Sequence, residues 1–173
     1  KPPGEDGGKG GSENQKSNDP NEKDTVGAPD PNGDPNKRFV LGDTELAYTV
    51  RFENVPTATA PAQQVVITDV LDPKLDLNTF QLGEFHFGDF TVAVPAGLSA
   101  YQTQVDATAT LGMYVNFEAS LDFNTRTVTW KLTSIDPATG DSNQSDPDFG
   151  FLPPNDEAQP DRSPIFLQRA RID

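Results

Sequence analysis

The chain has 173 residues, 34% of them hydrophobic, a mean hydropathy of −0.60 and a formal net charge of −14 from 27 acidic and 13 basic residues. So large a negative surplus repels a phosphate backbone, which sets nucleic acid last among partners and leaves cation binding or self-repulsion as the relevant electrostatics. No cysteine is present, so disulfides and thiolate metal sites are excluded and stability must come from packing, with bound ions as an optional addition.

The sequence has no run of about 18 apolar residues and no charged-then-apolar leader, so neither a membrane span nor a secretory signal is expected in it. Its opening Lys1-Pro2-Pro3 reads as a piece cut from a longer protein. Residues 1–18, KPPGEDGGKGGSENQKSN, have the Gly, Pro, Ser, Lys and Glu composition of a flexible linker, and a disordered leader is expected there because no apolar burial offsets the entropy of ordering. Residues 19–37 are dense in Asp, Asn, Pro and Gly. Such residues form turns and offer side-chain oxygens, so this stretch reads as an acidic loop pinned by an ion, with no packed strand.

The third segment, residues 38–173, carries the strand signals. Phe39–Leu41 reads as a short first strand, followed by ELAYTVRFE at 45–53, where Leu46, Tyr48, Val50 and Phe52 alternate with Glu45, Thr49, Arg51 and Glu53. That period of two marks a half-buried strand. A second strand follows at 65–70, with Val65 and Ile67 on its core face. The Ala, Pro and Thr connection between them is too long for a tight hairpin and points to strands in different sheets. Leu71-Asp72-Pro73 ends that pairing, and a loop runs through Asp76.

In Phe80–Phe87 the apolar parity changes phase at Gly83, as a β-bulge would make it. Further strands are expected at Phe90–Val94, Tyr101–Ala109, Met113–Leu121 and Thr127–Thr133, the last two joined as a hairpin. Residues 134–163 return to loop composition, with a Phe149–Leu152 island that should anchor the loop on the core. Residues 164–170, PIFLQRA, supply a last apolar run of poor period.

The strings YTVRFEN at 48–54 and VVITDVLDPKLDLNTFQLGEF at 65–85, with SIDPATG at 134–140, GFLPPND at 150–156 and DPN at 19–21, resemble DUF11-like, conserved-repeat β-sandwich modules of large bacterial surface proteins. The resemblance implies an all-β fold: an immunoglobulin-like antiparallel Greek-key β-sandwich, here with long acidic loops, serving as a non-enzymatic structural or spacer module of an extracellular or cell-surface multidomain protein. Its partners would be the neighbouring domains of that protein, other copies or surface proteins. Modules of this subgroup close with a strand reading like GxGFVxYxV, whereas this chain ends DEAQPDRSPIFLQRARID. Either a divergent internal strand fills that place or the edge is open to a strand from another chain.

The candidate chemistry is sparse. Asp30, Asn32 and Asp34 place oxygens at alternating positions around Gly33, a pattern suited to Ca²⁺. The loop lacks the glycine and glutamate of an EF-hand, so ligands would also come from Asp19, Asn21 and Asp24, or from Asp146, Asp148 and Asp156, with Asp141 and Asn143 nearby. The competing reading is a set of solvated turn residues. Carboxylates such as Asp69, Asp72 and Glu84 show no spacing that singles out an acid and base pair. His86, the only histidine, reads as a strand residue. An alternative reading is a carbohydrate- or protein-binding adhesion module: Tyr101, Tyr114 and Trp130 are candidate sugar-stacking rings, with Trp130 expected in the core and Tyr114 on the polar face of its strand as the candidate ligand-binding residue. The six Asp-Pro bonds read as turn chemistry.

Overall fold

The computed structural model describes residues 22–25, 28–29, 38–39, 45–143, 145–155 and 165–172. Among these residues the elements are β1 (Glu22–Thr25), β2 (Ala28–Pro29), β3 (Arg38–Phe39), β4 (Glu45–Arg51), β5 (Gln64–Val70), β6 (Leu75–Phe87), β7 (Phe90–Val92), β8 (Ala100–Ala107), α1 (Thr108–Leu111), β9 (Met113–Asp122), β10 (Thr127–Ile135) and β11 (Ile165–Ile172). One sheet has the order β1-β4-β11-β6-β7 and a second the order β5-β10-β9-β8, with β2 and β3 forming a separate pair. Every pairing is antiparallel. The two large sheets face each other over one core, so the expected all-β sandwich is the fold, and β4 and β5 do lie in different sheets.

Alternation built most of the strands. In β9 the buried residues Met113, Val115, Phe117, Ala119 and Leu121 alternate with more exposed ones, and β10 buries Val128, Trp130 and Leu132 in the same manner. Asp122 caps the hairpin between them by accepting the backbone N–H of Asn124 at 2.8 Å. The loop then closes through Arg126 at φ 56°, a left-handed conformation unusual for a residue with a side chain. Its guanidinium donates to the carbonyls of Asp72 at 2.7 Å and Leu75 at 2.6 Å, tying this hairpin to the start of β6.

The phase change at Gly83 is a bulge: Phe166 and Gln168, two apart on β11, pair with Phe85 and Leu82, three apart on β6. The extra residue lets Phe80, Leu82, Phe85 and Phe87 all reach the core.

Several boundaries differ from the sequence reading. Residues 22–25 form β1 and extend β4 at the sheet edge, although this acidic stretch was expected to hold no packed strand. An edge strand satisfies backbone groups on one side only and tolerates charge, which removes the objection. Pro29 is accommodated likewise in the two-residue β2. Arg38–Phe39 pairs as β3, while Val40 and Leu41 lie outside the described residues. Strand β6 starts at Leu75, not beyond Asp76, because Leu75 is buried and pairs with Ile172. Strand β7 ends at Val92, two residues early, and β8 at Ala107. There Asp106 accepts both the N–H and the hydroxyl of Thr108, turning the chain into α1. The expected leader at residues 1–18 lies outside the described residues.

The Phe149–Leu152 island anchors its loop as expected. Phe151 and Leu152 are buried, Ala62 pairs with Leu152, and Phe151 meets Phe87 edge-on at 5.8 Å. A Cβ on Gly150 would lie 2.6 Å from the Pro61 carbonyl carbon, so only glycine fits this crossing.

The last strand is the least expected element. β11 occupies the centre of the larger sheet, between β4 and β6, which assigns it to the divergent internal reading. Its Phe166 stacks on Phe52 at 5.3 Å and Trp130 at 5.6 Å and is tilted against Phe85 and Phe117. Each such ring pair adds roughly 0.5–1.5 kcal/mol beyond area burial.

Candidate functional site

The outer face of the four-stranded sheet gathers the exposed polar groups. Pairing aligns Gln102 with Glu118, Gln104 with Asn116, Asp106 with Tyr114, and Lys131 with Glu118 across three strands. The row is stitched together by a hydrogen bond from Gln104 Nε2 to Asn116 Oδ1 at 2.9 Å and by the Lys131–Glu118 ion pair at 3.8 Å. Beside it lies an open depression lined by Ala100, Tyr101, Gln102, Glu118, Ala119, Ser120, Thr129 and Lys131. Its floor is low because Ala100 and Ser120 pair directly and are both small. Such a surface can hydrogen-bond a polar ligand but cannot enclose one.

The candidate aromatic residues separate cleanly. Tyr114 stands on this outer face, half-buried beside Asp106. Tyr101 shares the parity of the inward Ala119 and packs against the core, and Trp130 is fully buried, as its strand pattern required. Three rings divided between two faces make no platform: Tyr114 stands on the outer face, while Tyr101, equally half-buried, reaches the depression only from its inward-facing position.

Of the candidate calcium ligands, Asp19, Asn21, Asp30, Asn32, Asp34 and Asp156 lie outside the described residues, and Asp24 is described only as a β1 backbone position opposite Thr49. Asp146 and Asp148 are exposed. Asp146 Oδ1 accepts the N–H of Asp148 at 3.0 Å, and its carbonyl accepts from the Gln63 side chain. Asn143 Oδ1 accepts the Ser145 hydroxyl at 2.9 Å. These oxygens thus organise their own turns, and among the described residues no group of three or more His, Asp or Glu is arranged around a common point.

His86 sits in β6 with Nδ1 2.9 Å from Thr91 Oγ1 and Nε2 3.3 Å from Glu84, a cross-strand position consistent with the expected strand role. Of the carboxylates considered as an acid and base pair, Asp72 and Glu84 are exposed, whereas Asp69 shares the inward parity of Ile67.

Sequence reasoning passed over a polar cluster that the described residues form inside the sandwich. Gln168, at 0% exposure in β11, donates from Nε2 to Asp69 Oδ2 across the two sheets at 2.6 Å. Tyr48 neighbours Gln168 on β4, and burial, reinforced by the negative charges of Asp72 and Asp69, raises its phenol above the ordinary value of 10.0. Gln168 Oε1 has no hydrogen-bond partner among the described residues. A hydrogen bond to a charged group contributes about 1.5–3 kcal/mol, and an unmet buried acceptor costs about 1–3. The cluster therefore adds little net stability; what it sets is register, since a one-residue slip of β11 would turn Gln168 away from Asp69. The signal was present in the parity of Phe166, Gln168 and Ala170 against the exposed Arg169 and Arg171, but a glutamine and an alanine inside blunt the apolar period.

No helix among the described residues is long and apolar enough to cross a membrane. No curated protein and no solved structure matches the chain. Residues 19–94, which take in β1–β7 and stop before β8, are similar to a family described as a domain of unknown function (DUF7619).

Proposed function

We propose that this chain is a non-enzymatic structural module, of the immunoglobulin-like type its sequence resembles, that spaces other domains of an extracellular or cell-surface protein. The observation that carries this reading is the route of the chain through the larger sheet. Strand β1 enters with Glu22 beside Arg51, and β11 leaves with Arg171 beside Glu45, so entry and exit lie at opposite ends of β4. Both strands run antiparallel to β4 and hence parallel to each other. Tension applied along the chain then shears two hydrogen-bonded ladders at once instead of unzipping them pair by pair. At about 3.3 Å per residue β11 alone carries the load over roughly 26 Å.

Single-molecule pulling tests it. Force applied through residues 22 and 172 should unfold the domain at several times the force needed through 123 and 172, and equal forces would defeat the spacer proposal. Calcium belongs to this reading through the acidic sequence at 19–36 together with Asp146, Asp148 and Asp156. A chelator is expected to lower the melting temperature, and an unchanged midpoint removes the ion.

The second reading, a carbohydrate- or protein-binding adhesion module, is favoured by Tyr114 standing on the hydrogen-bonding row of Gln104 and Asn116. Calorimetry with soluble glycans on the intact protein and on Tyr114→Ala decides it: binding that Tyr114→Ala abolishes supports this reading, and no binding by the intact protein dismisses it.

A further inference from the structure

Strands β1 and β7 close the larger sheet, and β5 and β8 close the smaller. Three of these edges carry protection. β1 has four residues reading Glu-Lys-Asp-Thr, β7 has three residues, and the exposed side chains of β8 are Ala100, Gln102, Gln104 and Asp106. β5 differs. It runs seven residues without proline, and its outer face reads Gln64, Val66, Thr68 and Val70, with Val66 53% and Val70 69% exposed. Charged residues, shortness and proline are the devices that blunt an edge; the outer face of β5 has none of them, and the strand's one charged residue, Asp69, has inward parity and accepts a hydrogen bond from Gln168 across the sandwich. Two of the three large exposed hydrophobic residues among those described lie on this strand.

The backbone parity is also decided. Leu71 N–H and the Gln63 carbonyl both bond toward β10, so odd-numbered residues of this strand face β10 and even-numbered ones face outward. Ala62 confirms the alternation: its N–H and carbonyl point the other way and are taken by Leu152 and Phe151. Beyond that capped end, no described strand pairs with Gln64, Val66, Thr68 or Val70 on the outward side.

We infer that β5 pairs with β5 of a second copy, antiparallel about a two-fold axis at Thr68, joining two four-stranded sheets into one of eight strands. The sequence is complementary to itself in this register. Val66 faces Val70 of the other copy, Thr68 faces Thr68, and Val70 faces Val66, which gives two β-branched pairs around a threonine pair. The same three residues are those whose N–H and carbonyl groups point outward, so side-chain matching and hydrogen-bond parity agree. A strand of other sequence would meet the outward backbone equally well but not this face. The net charge of −14 opposes association of two copies, so added salt strengthens the dimer by screening over about 10 Å at 0.1 M. One strand pair is a small interface, and the dissociation constant is expected at about 100 µM.

Sedimentation of the full chain across that concentration range, at low and high sodium chloride, tests the inference. Dimer that grows with concentration and salt is expected; a monomer throughout overturns it. Val66→Lys and Val70→Glu should each weaken self-association about tenfold, with melting temperature reporting that each variant still folds. Mixing the two variants should restore dimer, because the lysine introduced in one copy would then face the glutamate introduced in the other across the axis. Failure of the mixture to dimerise would overturn the register, and undiminished dimer in Val66→Lys alone would overturn the β5 interface. Hydrogen exchange supplies an independent reading: the amides of Val66, Thr68 and Val70 should slow on association, whereas unchanged exchange there in a dimer would place the contact elsewhere and defeat the proposal.

Discussion

The two sheets of this sandwich are assembled in different ways. In the smaller sheet β8, β9 and β10 follow one another in sequence and in space, joined by α1 and by the turn at 123–126. In the larger sheet the centre is filled by β11, whose partners β4 and β6 begin 120 and 90 residues earlier in the chain. Local pairing closes short loops at small entropic cost, whereas β11 must wait for both partners. The core that the sheets share is thus completed by the part of the chain with the weakest local signal.

Phe166→Ala should break the comparison most severely. It removes a ring stacked on Phe52 and Trp130 at the middle of the core, and a loss of about 3–5 kcal/mol is expected by denaturant unfolding. If β11 docks late, the loss should fall mainly on the unfolding rate. A loss below about 1 kcal/mol would mean that the larger sheet does not depend on β11.

Gln168→Ala should cost less, roughly 2 kcal/mol, mainly from the void left in the core, since the lost cross-sheet hydrogen bond is offset by removal of the unmet Oε1 acceptor. Its sharper consequence is positional. Amide exchange along β11 should become uneven, because the contact with Asp69 no longer distinguishes the native register from a slipped one. Uniform protection would leave register to Phe166 and Ala170 alone.

The smallest effect belongs to the local hairpin. The backbone N–H of Asn124, then the Thr125 side chain, hold the Asp122 carboxyl below its ordinary value of 3.8. The folded state therefore releases this proton more readily than the unfolded chain, so the stabilisation is present above about pH 3.8 and is lost as pH falls through the lower folded value. Carboxyl NMR titration should find Asp122 below 3.8, and Asp122→Asn should flatten the acid dependence of melting slightly. An Asp122 that titrates at its ordinary value would remove the turn from the account of the hairpin.

Legibility in the sequence followed these differences. The hairpin at 113–133, the burial of Trp130 and the bulge at Gly83 were readable because each is written in alternation over neighbouring residues. The outer-face position of Tyr114 followed from the same parity. The placement of β1 was not readable, since an edge strand of charged residues has no apolar signature. Nor was the Asp69–Gln168 contact, which joins residues 99 apart that lie on opposite sheets.

Local sequence thus determined an all-β chain, its strand faces and most of its turns, because side chains alternate with a period of two and turn residues act on their own backbone. Tertiary structure alone decided which strand fills the centre of the larger sheet, which polar pair sets its register, and which edge no described strand covers. Those outcomes depend on pairing between remote segments, and no local pattern encodes which partner a strand will find.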